Sequence, residues 1–83
     1  MMKEIKNWEA IIEDESGNES IAILLPGCII KGELEGKSAK IQTIDVDISN
    51  LIITGIDEEN YMLVNANRTY LNNLNKCIEN KFI

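Results

Sequence analysis

The stretch that decides the fold class is residues 41–48, which read Ile41-Gln42-Thr43-Ile44-Asp45-Val46-Asp47-Ile48. From Thr43 onward, apolar β-branched residues at 44, 46 and 48 alternate with polar residues at 43, 45 and 47. A period of two residues predicts a β-strand with one buried and one solvated face. The stretch therefore predicts a β-sheet protein in which Ile44, Val46 and Ile48 lie on the core side.

Toward the N-terminus, residues 4–13 fit two structures. A strand would place Trp8, Ala10 and Ile12 on one face, whereas a helix would place Ile5, Trp8 and Ile12 on one stripe. The run Glu13-Asp14-Glu15 would put negative charge at the C-terminus of such a helix, where it opposes the macrodipole. The pattern favours the strand, and the helix remains the alternative.

Residues 16–40 contain the predicted turns. Ser16-Gly17-Asn18 predicts a turn into a second strand that begins with residues 21–25. Pro26-Gly27 predicts a bend, after which residues 28–35 resume extended structure. Gly32 falls on the inner face of that strand, where a missing side chain permits a tight bend or a close neighbour.

The tail changes its period from two to 3.6 residues. Large apolar residues recur at spacings that predict an amphipathic helix from about residue 68 to 80. We expect this stripe and the apolar segment 51–53 to form a helix-docking or oligomer interface. The interface residues are Leu71, Leu74, Ile78, Phe82, Leu51 and Ile53.

Together these segments predict one domain, residues 1–83, of the mainly β (α+β) class. We expect a small antiparallel β-barrel or a strongly bent sheet of five or six strands within about residues 4–66, with one C-terminal amphipathic helix. Segments 24–30 and 51–53 are apolar on both faces, and a chain of 83 residues cannot cover both. A homo-oligomer is therefore predicted.

Charge restricts the partners of the chain. Eight basic and 14 acidic residues give a formal net charge of −6, which argues against direct nucleic-acid binding and against an anionic membrane surface. An oligomer could still gather lysines around one opening for a small ligand. The candidate ligand- or partner-binding residues are Lys31, Lys37, Lys40, Arg68 and Tyr70.

Catalytic and metal-binding chemistry is poorly represented. The chain has no histidine, and Cys28 and Cys77 lack the spacing of a zinc or redox pair. Two free thiols and an N-terminus without an apolar signal segment predict a cytoplasmic protein. Asp45 and Asp47 share one strand face, but without a third ligand they indicate a solvated surface. We expect no catalytic residue, no metal and no cofactor, and hence no enzyme.

Three classes of function fit these properties. The first is a non-catalytic acidic binding or inhibitor protein that occupies a partner surface, as viral or mobile-element antagonists of host defence do. The second is a homo-oligomer that holds a small ligand, phosphorylated or not, between its subunits. The third is a structural subunit of a larger assembly. The sequence ranks them in that order.

Overall fold

A computed structural model describes residues 2–81, with side chains described as far as residue 76. Six strands precede one helix. The strands are β1 (Lys3–Glu13), β2 (Glu19–Ile21), β3 (Ile29–Leu34), β4 (Lys37–Asp47), β5 (Ile52–Gly55) and β6 (Asn60–Val64), and the helix is α1 (Arg68–Lys81).

Five of the strands close into a ring. Neighbours β1–β3, β3–β4, β4–β5 and β5–β6 pair antiparallel, and β6 then pairs parallel with the start of β1, from Lys3↔Tyr61 to Lys6↔Val64. The short β2 lies outside the ring and pairs with the other end of β1, at Ile11–Glu13. This architecture confirms the predicted fold class, a mainly antiparallel sheet that curves back on itself and carries one C-terminal helix.

Segment 4–13 is a strand, as its acidic end indicated. Trp8 and Ala10 are buried in the core, whereas Ile12 lies beyond the ring and is 52% exposed. The pairing of β1 with β3 is irregular between Lys6 and Glu9. At this bulge, Gly32 of β3 lies so close to β1 that an added Cβ would be 2.7 Å from the Ile5 side chain. Gly32 thus allows β1 to approach β3 closely, which is one of the two roles predicted for it.

The prediction for the inner face of β4 was wrong in two of its three residues. Ile44 and Ile48 are exposed, and only Val46 packs against the core. Ile44 points outward because a register shift in the β4–β5 pairing between Thr43 and Asp45 makes it an extra residue of β4. Ile48 is exposed for a different reason, since β4 ends at Asp47 and Ile48 lies in the turn that leads to β5. Thr43 instead lies inside the ring at 2% exposure, since its hydroxyl finds hydrogen-bond partners there.

The second predicted strand is also shorter than its sequence suggests. Regular pairing ends at Ile21, and residues 22–28 form a loop that leads into β3. Ala22 still donates its N–H to the carbonyl oxygen of Ala10 at 3.0 Å. The bend at Pro26-Gly27 is present, with Gly27 at a φ of 96°. Such a φ favours glycine because it has no Cβ.

The helix begins at Arg68, as its sequence period predicts. Asn67 is its N-cap, since its side-chain oxygen accepts the N–H of Tyr70 at 2.9 Å. Tyr70 belongs to the core, and Leu74 is partly buried against it. The helix is thus attached to the ring through its first half. The stripe positions Ile78 and Phe82 lie outside the described side chains.

Candidate functional site: an apolar groove at one end of the ring

An apolar groove of about 500 Å³ lies at the β2 end of the molecule. It runs between the end of β1, strand β2 and the loop 22–28. We call it the end groove. Its lining carries no charged side chain and consists of Ile12, Ile21, Ala22, Ile23, Leu25, Pro26, Gly27 and Cys28.

Four large aliphatic side chains in the end groove are open to solvent. Ile12 and Ile23 are each 52% exposed, Leu25 is 53% exposed and Ile21 is 38% exposed. Single exposed aliphatic residues are ordinary on protein surfaces, whereas a contiguous apolar patch is typical of an interaction site. The end groove therefore meets the physical description of a contact surface.

The loop that forms one wall of the end groove is tied to β4. Gly27 donates its N–H to the Thr43 hydroxyl oxygen at 3.1 Å, and that hydroxyl donates to the carbonyl oxygen of Cys28 at 2.8 Å. The Gln42 amide donates to the carbonyl oxygen of Gly27. These bonds hold Leu25 and its neighbours in a defined loop before any partner arrives, which lowers the entropic cost of binding.

Tyr70 supports the opposite side of the loop. Its hydroxyl donates to the carbonyl oxygen of Ala22 at 2.8 Å, and its ring lies 5.7 Å from that of Trp8 between centroids. Burial raises the pKa of the Tyr70 phenol. Its neighbour Arg68 is exposed at the start of α1. The predicted binding role of these two residues stays a prediction, with Tyr70 placed inside the core and Arg68 on the surface.

The three candidate lysines lie on the β3–β4 hairpin. Lys31 and Lys40 are directly opposite each other in the register of β3 and β4. Each is ion-paired to acidic residues on the outer face. Lys31 binds Glu19 at 2.9 Å, while Lys40 binds Glu13 and approaches Glu19 to 3.5 Å. An anionic ligand at this position would have to compete with those carboxylates. Lys37 lies at the end of the hairpin, where β4 begins.

The predicted interface residues fall in different places. Ile53 is fully buried in the core, and Leu51 is 40% exposed just before β5. Leu71 is 41% exposed in the first turn of α1. These residues therefore do not form one continuous surface within the part of the chain described. Their role in an oligomer stays a prediction.

Two acidic residues stabilise turns. Asp14 accepts the N–H groups of Ser16 and Asn18, and Asp47 accepts hydrogen bonds from Asn50. These hydrogen bonds lower the pKa values of both carboxyl groups. Among the side chains of residues 2–76, no three His, Cys, Asp or Glu lie close enough to hold a metal ion. Cys28 is a buried free thiol, and the Cys77 side chain lies outside the described set.

Sequence patterning did not identify the end groove. The sequence predicted that segments 24–30 and 51–53 could not both be covered, but it placed residues 21–25 in a strand and did not bring them together with Ile12. The available signal was Pro26-Gly27 directly after Leu25, because such a bend can end strand pairing and leave apolar side chains at the rim.

Comparisons with known proteins add no function to this geometry. No protein-family model, no curated protein and no solved structure matches the chain. No helix in the described part of the chain has the length and apolar character needed to cross a membrane.

Proposed function

We propose that this chain is a non-catalytic binding protein that occupies the surface of a protein partner through its end groove. The observation that carries the proposal is the cluster of four exposed aliphatic side chains, Ile12, Ile21, Ile23 and Leu25, around one uncharged groove. Interface centres are typically apolar and depleted in charge, with polar residues around them.

The charge of the chain favours a basic partner. The net charge is −6, and the β1–β2 turn next to Ile12 carries Glu13, Asp14 and Glu15. We expect a partner surface with an apolar anchor surrounded by Lys or Arg. Electrostatic attraction of this kind accelerates association and weakens as salt is added. An inhibitor that occupies a partner surface would combine the apolar contact of the end groove with this electrostatic attraction.

The aliphatic side chains can supply useful affinity. Full burial of an Ile or Leu side chain contributes about 1.5–3 kcal/mol. Because each exposes about half of its surface, burial in a complex would add about 1 kcal/mol per side chain. A charge introduced in this cluster would remove more than that, since the carboxylate must also be desolvated. A single Leu25→Glu substitution should weaken binding at least about tenfold.

Photo-crosslinking tests the site directly. A photoreactive amino acid is placed at Ile23 and, as the matched control, at Ile48, which is 59% exposed but lies outside the end groove. We expect one cross-linked species from Ile23, lost with Leu25→Glu and reduced by high salt, and none from Ile48. Equal cross-linking at both positions, or cross-linking that survives Leu25→Glu, would contradict the proposal.

A further inference from the structure

Strand β4 has a free hydrogen-bonding edge along its first five residues. On one side, β3 pairs with β4 from Leu34↔Lys37 to Ile29↔Gln42. On the other side, β5 begins pairing only at Thr43↔Gly55, and the Ile56 N–H donates to the Gln42 carbonyl oxygen at 3.0 Å. Within residues 2–81, no strand pairs with that second side along Lys37–Ile41.

The direction of the free groups follows from one hydrogen bond. The Thr43 N–H donates to the Cys28 carbonyl oxygen at 2.9 Å, so Thr43 points its backbone groups toward β3. Alternate residues of a strand point these groups to opposite sides. Ala39 and Ile41 therefore also face β3, whereas Ser38 and Lys40 direct their N–H and C=O groups outward. Two donors and two acceptors are presented in the pattern that an added strand would match.

From this edge we propose a two-fold dimer, in which β4 of one copy pairs antiparallel with β4 of a second copy about Ala39. In this register Ser38 of each copy faces Lys40 of the other. The two pairs exchange four backbone hydrogen bonds. This dimer contact contains none of the end-groove side chains and is independent of the proposed partner-binding function.

The length of the edge suits a second copy of this hairpin. At one end, β4 begins directly after the two-residue turn Glu35-Gly36, which connects it to β3. At the other end the turn after β5 occupies the edge from Ile56 onward. In the antiparallel register, β4 of the second copy begins opposite Ile41. Its own β3–β4 turn therefore lies where the β5–β6 turn of the first copy would block further pairing.

Charge placement is compatible with this register. Edge lysines normally discourage strand pairing, but in this register neither lysine lies directly opposite a charged residue of the second copy. Lys40 is held by Glu13 and lies opposite Ser38 of the second copy. Lys37 lies opposite Ile41 of the second copy. There it borders that copy's groove of about 370 Å³, which is lined by Ile41, Ile56 and Asp57 among others. The Lys37 stem can cover the two isoleucines while its ammonium group pairs with Asp57.

A proline substitution tests the edge without breaking the β3–β4 ladder. Ser38→Pro removes an N–H that points away from β3, which is where strands tolerate proline. Ser38→Ala is the matched control, since it keeps the N–H. In sedimentation equilibrium at micromolar concentration, we expect dimers from the wild type and from Ser38→Ala. We expect monomers from Ser38→Pro that still unfold cooperatively, with a melting temperature lowered only by the loss of the dimer contact and independent of protein concentration.

A second variant tests the register and covers the case in which Ser38→Pro fails to fold. In the proposed dimer, Ala39 lies opposite Ala39 of the second copy as a non-hydrogen-bonded pair, with Cα atoms about 4.5 Å apart. That separation falls in the range of disulfides, about 4.4–6.8 Å. Oxidised Ala39→Cys should form a dimer with a mapped 39–39 link, whereas Ser16→Cys in the exposed β1–β2 turn should not. A wild-type monomer, a dimer that persists in folded Ser38→Pro, or equal linking of both cysteine variants would overturn the proposal.

Discussion

Replacing Thr43 with valine should destabilise the fold while leaving its shape nearly unchanged. Valine keeps the volume but removes the hydroxyl, which donates to the Cys28 carbonyl oxygen at 2.8 Å and accepts the Gly27 N–H at 3.1 Å. The Cys28 oxygen retains the Thr43 N–H at 2.9 Å. The main loss is therefore the partner of the partly buried Gly27 N–H, together with one bond to the Cys28 oxygen.

The expected magnitude follows from these two bonds. An average hydrogen bond contributes about 0.5–1.5 kcal/mol, and an unsatisfied buried group costs about 1–3 kcal/mol. We expect Thr43→Val to lower the free energy of unfolding by about 2 kcal/mol. For a domain of this size, that corresponds to a decrease of about 8–16 °C in melting temperature. Against a total stability of about 5–15 kcal/mol, the loss is readily measured.

The assay is urea unfolding followed by circular dichroism, with Thr43→Ser as the matched control. Serine keeps both hydrogen bonds and loses only a methyl group, which should cost about 1 kcal/mol or less. Hydrogen exchange at Gly27 should accelerate in the valine variant alone. A valine variant as stable as the wild type, or less stable only to the extent of the serine variant, would refute the assignment of Thr43 as the polar anchor of the loop.

Two further predictions concern the ring itself. Gly32→Ala should destabilise by about 1–3 kcal/mol, because the new methyl group would lie 2.7 Å from the Ile5 side chain and 2.8 Å from the Lys6 carbonyl oxygen; equal urea midpoints for variant and wild type would contradict this close approach. The hydrogen bond from the Tyr61 hydroxyl to Asp57, 2.7 Å long, raises the pKa of Tyr61 to about 12. Since the folded pKa lies above the ordinary value of about 10, this stabilisation is complete below pH 10 and is lost as the pH rises toward 12. Tyr61→Phe should lack that part of the alkaline decline in unfolding free energy, and identical alkaline slopes would show that the bond does not form.

Much of the fold was predictable because it depends on local periodicity. The spacing of apolar residues placed the helix from Arg68, and the acidic run Glu13-Asp14-Glu15 favoured a strand over a helix for β1. The inner position of Gly32 also follows from alternation along β3. In each case the pattern is set by residues near in sequence and by the geometry of one element.

The candidate site was not predictable in the same way. Ile21 and Leu25 have strand-forming side chains, but whether they are covered depends on what packs above them. The chain bends at Pro26-Gly27 and is pinned to Thr43, which lies 16 residues further along the sequence. Sequence patterning does not predict a hydrogen bond between residues so far apart, so the position of the groove follows only from the structure.

The sequence by itself determined the β-rich class, the terminal helix and the acidic surface, because period and charge are local properties of the chain. The tertiary structure alone decided that Thr43 rather than Ile44 lies inside the ring, whereas Val46 lies on the core side that the alternation predicts. Alternation around Ile44 favoured one face, yet the bulge opposite β5 and the hydrogen bonds of Thr43 placed a threonine in the core and the isoleucine in solvent. A register shift of one residue exchanges the two faces of a strand, and that shift is set by the pairing of strands rather than by either strand alone.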